Sequence, residues 1–311
     1  MDDGIRCSEA TIVMATYDLN RWPLLATAVE SLLTQSVHTQ QITICVDQNT
    51  ELYGRIQKTW PEITAVLNTG ERGASNSRNI GAKLAKTPFI VFVDDDIRVR
   101  PGWLSRLLEP FADPAVVGTG GGVIASWPTG GRPGWFPLEF DWVVGASYRG
   151  MPEAKTTVRN VWAENMAVRT QVFNFVGGFR SGFGKVGSLS RPEDTELCIR
   201  MAATAADAKW IYVPGALVEH HVPVRRATFP FFLRRNYLEG AGKLEMVRLL
   251  GRNEKLATER DYLRRTLPSG IFRGLWSAIR HGNMNGLRTA GAIVVGILAA
   301  GVGIVAEVVR G

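Results

Sequence analysis

Cysteine is scarce in this chain. Its three copies, Cys7, Cys45 and Cys198, lie far apart and show no CxxC spacing. That excludes a disulfide framework and a cysteine-built zinc site, and it fits a reducing compartment. An apolar run is missing from the amino terminus as well: "MDDGIRCSEA" is acidic, so no secretory signal is predicted. Internal repeats and low-complexity tracts are absent. The balance of 45% hydrophobic and 21% charged residues over 311 positions is that of an ordinary globular protein, enough for one large domain with appendages or for two domains.

Surplus charge is missing from most of the chain. Residues 1–222 carry 21 Lys and Arg against 23 Asp and Glu, whereas residues 223–288 carry 14 against 5. The excess positive charge is thus confined to the carboxy-terminal part, where an anionic membrane leaflet or a nucleic acid would be met. Long apolar runs are missing until residues 290–306, "AGAIVVGILAAGVGIVA", which are 17 uncharged residues between Arg288 and Glu307. A full span usually takes about 20. Ala292, Gly296 and Ala300, then Ala299 and Gly303, recur at helix-packing intervals. The segment reads either as membrane-embedded or as a buried soluble helix.

What is there begins with alternation. Short aliphatic runs at 11–16, 42–46, 63–67 and 89–93 are separated by helix-period segments at 22–35, 51–59 and 75–87, the last opened by a Ser or Asn cap. This βαβ rhythm predicts an α/β fold with a mostly parallel sheet covered by helices on both faces. From 118 to 160 glycine, proline and aromatics take over, and the stretch reads as a long loop. Trp127, Trp135, Phe136, Phe140 and Trp142 there suit a sugar or lipid platform and a core cover equally. Beyond 225 the residues Phe229, Phe232, Leu233, Tyr237, Ala241, Leu244 and Val247 fall at 3/4 spacing among arginines and lysines. That pattern predicts a basic amphipathic helix, for a membrane interface or for packing, with nucleic acid disfavoured. Three domains follow: 1–225 catalytic, 226–285 basic and helical, 286–311 an apolar tail.

Three strand ends carry polar groups at the rim where open sheets bind ligands: Thr16-Tyr17-Asp18, Asp47-Gln48-Asn49 and Asp94-Asp95-Asp96. The acidic triplet asks for a cation. On an extended strand end Asp94 and Asp96 share one side and Asp95 takes the other, which predicts a hard-oxygen site for Mn²⁺ or Mg²⁺ bridging to substrate phosphates.

In company, these pieces resemble family 2 of the inverting, GT-A-fold glycosyltransferases. The matching segments are "TIVMATYDLNRWPLLATAVESLLTQS", "ITICVDQNT", "GASNSRNIGAKLAKTPFIVFVDDDI", "NMAVRTQVFNFVGGF", "RPEDTELCIRM" and "WIYVPGALVEHHV", in family order over roughly residues 10–225. The resemblance implies a Rossmann-like GT-A core and a metal-dependent single displacement from a nucleotide-sugar donor, UDP-linked by the family's commonest usage. The acceptor would be a glycan or lipid-linked hydroxyl. It implies nucleoside contacts from Thr16, Tyr17 and Asp47, and a base or diphosphate contact from Arg78. Asp94 would lie at the ribose, Asp95 at the nucleotide or sugar, Asp96 on the metal, and Asn165 at the sugar and acceptor face. Asp194 would be the general base with Glu193 beside it. His220, next to His221, would complete the metal shell with Asp94 and Asp96. Plainer readings stand beside these: Asp194 as a helix cap, His220 as a core histidine, Asp47 as a turn residue and Arg78 as a partner for a surface acid.

The processive synthases of that family carry a Gln/Arg-x-x-Arg-Trp motif and several long membrane helices. Here "FLRRNYLEG" is the nearest match, so transfer of one or a few sugars is expected. A peripheral or anchored place on the cytoplasmic face of the cell membrane is expected with it. Two rivals belong to other classes. A sugar nucleotidyltransferase would carry a glycine-rich basic loop after the first strand, where this chain has "ATYDLNRWP". A non-catalytic membrane or nucleic-acid binder leaves Asp94–Asp96 and Glu193–Asp194 without purpose.

Overall fold

Aliphatic runs without polar alternation must be covered on both faces, and in the computed structural model they are the centre of a sheet. The structure describes residues 5–35, 38–128, 130–181, 184–186, 189–191, 193–250 and 260–310. Contacts divide the chain into two units: Met1–Val123 with Pro152–Glu219, and Ile124–Met151 with His220–Gly311. The segment 124–151 therefore groups with the carboxy-terminal helices.

The first unit opens with β1 (Ala10–Thr16), α1 (Trp22–Leu33), β2 (Ile42–Asp47), α2 (Thr50–Thr59), β3 (Thr64–Asn68), α3 (Ala74–Ala82) and β4 (Phe89–Asp94). After the short β5 (Ile97–Val99) come α4 (Trp103–Leu108), β6 (Val116–Ser126), β7 (Thr156–Val158), β8 (Asn165–Arg169) and α5 (Thr170–Phe175). A small hairpin of β9 (Gly184–Val186) and β10 (Leu189–Arg191) precedes α6 (Glu193–Ala202) and the long β11 (Lys209–His221). The sheet order is β3-β2-β1-β4-β8-β6-β11-β5, with β7 on β11. As expected the sheet is mostly parallel: β1 pairs in parallel with β2 and β4, and β2 with β3, while β8 runs antiparallel to β4. Four parallel strands bring four carboxyl ends to one edge. Ile12, Val13, Ile44, Val46, Val91 and Phe92 are all fully buried between the helical layers.

Two elements differ from the sequence reading. The glycine-rich run 118–122, read as loop, is the interior of β6. Its glycines make room for neighbours. A Cβ at Gly118 would collide with the Trp210 ring, and one at Gly120 with Val161. Propensity argues against glycine in a strand, but the space left for a large side chain decides here. Likewise "KWIYV" and "ALVEHHV" are one strand of 13 residues, β11, which Pro214-Gly215 does not break. At α3 the first turn has no Ser or Asn cap; Gly73 takes that position at φ 132°. Gly81 then lets α3 press on the sheet, since a Cβ there would lie 2.6 Å from Cys45 Sγ and from Val13 Cγ1.

The second unit holds α7 (Phe229–Leu250), α8 (Leu267–His281) and α9 (Met284–Arg310). The aromatics of the 124–151 segment form its core cover: Phe136 and Phe140 are buried, and their rings lie 5.5 and 5.2 Å from that of buried Phe232. The small residues of the apolar tail serve packing. A Cβ at Gly303 would clash with the Tyr237 carbonyl of α7, and one at Gly240 with the Ala300 carbonyl of α9. Helix α9 is long and apolar enough to cross a membrane by length and composition.

Candidate active site

The parallel strand ends of the first unit converge as the sequence predicts, but the charges pair differently. Strand β4 ends at Asp94, and the chain turns at Asp95-Asp96 before β5. Strand alternation therefore stops at Asp94. Asp95 and Asp96 together meet one cation, Arg21, while Asp94 meets another, Arg78. This corrects the expected grouping of Asp94 with Asp96 on one side: it is a turn, not an extended end, that orients the triplet.

Arg21 bridges the pair. Its Nη2 reaches an oxygen of Asp95 and lies 2.8 Å from Asp96 Oδ2, and its Nε is 3.1 Å from Asp95 Oδ1. Thr16 Oγ1, at the end of β1, donates to Asp95 Oδ2 at 2.6 Å. Burial alone would lower the pKa of Arg21, but the hydrogen bonds and charges of Asp95 and Asp96 outweigh it and raise it above its ordinary value. Arg21 was not singled out in the sequence. The signal was present, because it sits in "TYDLNRWP", within the rim that follows β1.

Arg78 organises the second half. Its Nη2 donates to Asp94 Oδ1 at 2.6 Å and its Nη1 to Glu193 Oε1 at 2.7 Å. Burial would lower its pKa, yet Asp94, Glu193 and Asp194 raise it. Ser75 Oγ, one turn earlier on α3, donates to Glu193 Oε2 at 2.6 Å. The strand-to-helix connection that carries these residues is held by Asp47, at the end of β2, which accepts from Asn68 Nδ2 at 2.8 Å and from the Gly73 amide at 3.1 Å. Gln48, the next residue, stands at φ 53°, a left-handed conformation uncommon for a side-chain-bearing residue. Tyr17 is half exposed, and the guanidinium of Arg21 lies 6.0 Å from its ring centre.

Asp194 differs from its neighbours. It lies in the first turn of α6, and its Oδ1 is buried with no hydrogen-bond partner among the described residues. Burial pushes its pKa up to about 7; the charge of Glu193 adds to the rise, and Arg78 opposes it. A helix cap would spend that oxygen on a backbone amide, so capping leaves it unexplained. The carboxyl is set to exchange a proton near neutrality.

Asn165 begins β8 and is buried. Its Nδ2 donates to the carbonyls of Gly122 and Ala216 at 3.0 and 2.9 Å, and its Oδ1 accepts from Trp103 Nε1 at 2.8 Å. It ties strands together and so positions the sheet beneath the rim. His220 is buried near the end of β11 and falls in the second unit. A cavity of about 380 Å³ in the first unit is lined by Asn76, Asn79 and Lys83 of α3 and by Gly177-Gly178. It lies on the face of α3 opposite Arg78, with Glu71 in its wall, and takes in neither Asp94–Asp96 nor Glu193–Asp194.

Can these residues hold a divalent metal? Among the described residues, four carboxylates (Asp94, Asp95, Asp96 and Glu193) and the Asp194 carboxyl meet two arginines, Arg21 and Arg78. The donors are hard oxygens, which suit Mg²⁺ or Mn²⁺. Among the described residues no group of three or more His, Cys, Asp or Glu is arranged to hold a metal alone. Such ions commonly complete their shell with water and substrate phosphate, so the set fits a metal brought to the rim with a phosphate-bearing ligand.

Comparisons with known proteins agree with this geometry. The family model for glycosyl transferase family 2 matches residues 11–177. A glucosyl-dolichyl phosphate glucuronosyltransferase of Haloferax volcanii is 31% identical over 243 residues, covering 76% of this chain and 77% of that protein. The pre-mycofactocin glycosyltransferase of Mycobacterium tuberculosis is 29% identical over 51% of this chain; the match spans 32% of that longer protein. Among solved structures, a mannosyltransferase of Pyrobaculum calidifontis in complex with GDP-Man and Mn²⁺ aligns over 96% of this chain and 87% of its own, with a TM-score of 0.60 and 16% identity. GalNAc-T7 with UDP, GalNAc and Mn²⁺ aligns over 84% of this chain and 54% of its own, with a TM-score of 0.56 and 15% identity. The fold is GT-A.

Proposed function

The chain belongs to glycosyl transferase family 2, and from that premise we propose that it moves a sugar from a nucleotide-sugar donor, UDP-linked, to a hydroxyl of a glycan or lipid-linked acceptor, with inversion at the anomeric carbon. The observation that carries this reading is Asp194: a carboxyl whose Oδ1 is buried without a partner among the described residues, with a pKa of about 7. A general base works best when its pKa lies near the working pH. Asp194 takes the proton of the acceptor hydroxyl as that oxygen attacks. No enzyme nucleophile is needed for a single displacement, and inversion follows.

Arg78 pairs with Glu193 and Asp94 and offsets part of their charge beside this base. Thr16 and Arg21 fix Asp95, and Asp47 fixes the turn into α3. With Tyr17 these groups receive the nucleoside and diphosphate, and Asn165 acts as a positioning residue beneath the sugar. Mn²⁺ or Mg²⁺ would be held at the rim by Asp94 and Asp96 together with the substrate phosphates; when bound it supplies charge neutralisation for the departing diphosphate. The ions and nucleotides named for the solved GT-A neighbours support this assignment. The name of the Haloferax relative supports a lipid-linked acceptor, and the apolar α9 supports a place on the cytoplasmic membrane leaflet. Family membership removes the nucleotidyltransferase and non-catalytic alternatives.

Thermal shift against a panel of nucleotide sugars, with and without Mn²⁺, tests the donor half. Wild type should be stabilised by one nucleotide class in the presence of metal, and Asp96→Ala should lose that response. Asp194→Asn tests the base: it should keep the thermal shift and lose transfer. Stabilisation of Asp96→Ala equal to wild type, or full turnover by Asp194→Asn, would overturn the assignment.

A further inference from the structure

Helix α8 faces the wrong way for a helix that only packs. Its buried positions are Leu267, Gly270 and Gly274. The glycines admit close approach: a Cβ at Gly274 would lie 2.6 Å from the Gly286 carbonyl oxygen, and one at Gly270 would lie 2.8 Å from Ile293. The bulky residues point out. Phe272 is 66% exposed, Trp276 51% and Ile279 82%, with Leu275 beside them. The first three stand at i, i+4 and i+7, which makes one stripe along the helix. Phe272 and Trp276 stack with ring centres 6.1 Å apart, and the guanidinium of Arg280 lies 5.9 Å from the Trp276 ring. Arg280 borders the stripe on one flank, within the stretch that carries 14 basic against 5 acidic residues; Arg273 on the same flank is paired with Glu139. Apolar stripe and bordering cations together match the acyl boundary and headgroups of an anionic bilayer.

Helix α9 shares this exposure through Leu298, Val302 and Val305, and by length it could also cross a bilayer. Its packing argues against crossing. The small residues of α9 are committed to α7, where Gly303 meets Tyr237 and Ala300 meets Gly240. Around those contacts α7 carries exposed Arg234 and the Arg235–Glu239 pair, 3.3 Å apart. An upright α9 would carry these charges into hydrocarbon, where such residues are strongly disfavoured. Lying flat, α8 and α9 can sink their outward faces while the arginines stay at headgroup level.

We infer that the protein is monotopic: the outward faces of α8 and α9 dock in the plane of an anionic membrane leaflet, led by Phe272, Trp276 and Ile279, and α9 does not span. The inference rests on the membrane-leaflet reading above and gives it an orientation.

The test uses the full chain and sealed vesicles of phosphatidylcholine with or without phosphatidylglycerol. Wild type should float with the mixed vesicles and bind the neutral ones more weakly. Phe272→Glu with Ile279→Glu alters only exposed positions and should cut the bound fraction roughly tenfold, since affinity follows buried apolar area. Its thermal response to nucleotide sugar should remain that of wild type, which separates a failure of docking from a failure of the donor site. A carboxy-terminal tag should be cut by protease added outside the vesicles. Binding by the double variant equal to wild type, or a tag protected until the vesicles are lysed, would overturn the proposal. A dimer in vesicle-free solution that the double variant breaks, with no flotation of wild type, would assign the stripe to a second copy and overturn it too.

Discussion

The two units treat polarity in opposite ways. The first buries charge: Arg78, Asp95 and Asp96 are nearly inaccessible at the sheet rim, and Asp194 Oδ1 is closed off without a partner among the described residues. The second exposes oil: Phe272, Ile279, Leu298 and Val309 lie on the surface of helices whose inward faces are glycine and alanine with Leu267 and Ile293 among them. Neither arrangement is the cheapest for stability alone. Buried charge needs partners at every oxygen, and exposed large apolar faces mark a surface that something else covers. Each departure from a plain fold is where function is proposed, chemistry in one unit and attachment in the other.

The largest expected effect breaks the first half of that contrast. Asp194→Asn should lower kcat by about 10²–10⁴, the range for losing a general base. In wild type, kcat/KM should rise with pH to a plateau with a midpoint about 7, set by the raised Asp194. A flat profile over that range would remove Asp194 from the role. Next in size, Arg78→Met leaves Glu193 and Asp94 without their shared cation. Breaking a buried pair from one side should cost about 3–5 kcal/mol, read as a lower midpoint in urea. Gly303→Leu probes the second unit, where a side chain has no room beside the Tyr237 backbone. Overpacking there should cost about 1–3 kcal/mol, while donor binding at the rim should be untouched.

The smallest effect sharpens the contrast through pH. A carboxyl whose pKa in the folded protein is raised from 3.8 to about 7 contributes stability in its protonated form. That contribution is complete below the unfolded pKa and is lost as pH rises through about 7. Asp194→Asn cannot lose it. The variant's melting temperature should therefore gain on wild type as pH climbs from the acid side, and the difference should level off above neutrality. Parallel melting curves at every pH would show that Asp194 is not a buried proton holder.

Much of the first unit was legible because its signals are local or periodic. Uninterrupted aliphatic runs require a sheet covered on both faces, and the order of strand ends at 16, 47, 68 and 94 follows from parallel connection. The acids at 94–96 and 193–194 announced themselves by like charge. What escaped was the partner of each charge. Arg21 is 74 residues from Asp95, and no spacing rule joins them. The glycines of β6 misled for the same reason: they read as a loop until Trp210 and Val161 are seen in the space they leave.

The chain by itself determined the α/β class, the family, the acidic rim and the basic, apolar end, because composition and periodicity act between neighbours along the sequence. Only the tertiary structure decided that Arg21 meets both Asp95 and Asp96 while Arg78 meets Asp94, that Asp194 Oδ1 is buried without a partner among the described residues, and that α8 turns its glycines inward. Each of those depends on which residues distant in sequence exclude water together, and burial of that kind exists only once the chain has folded.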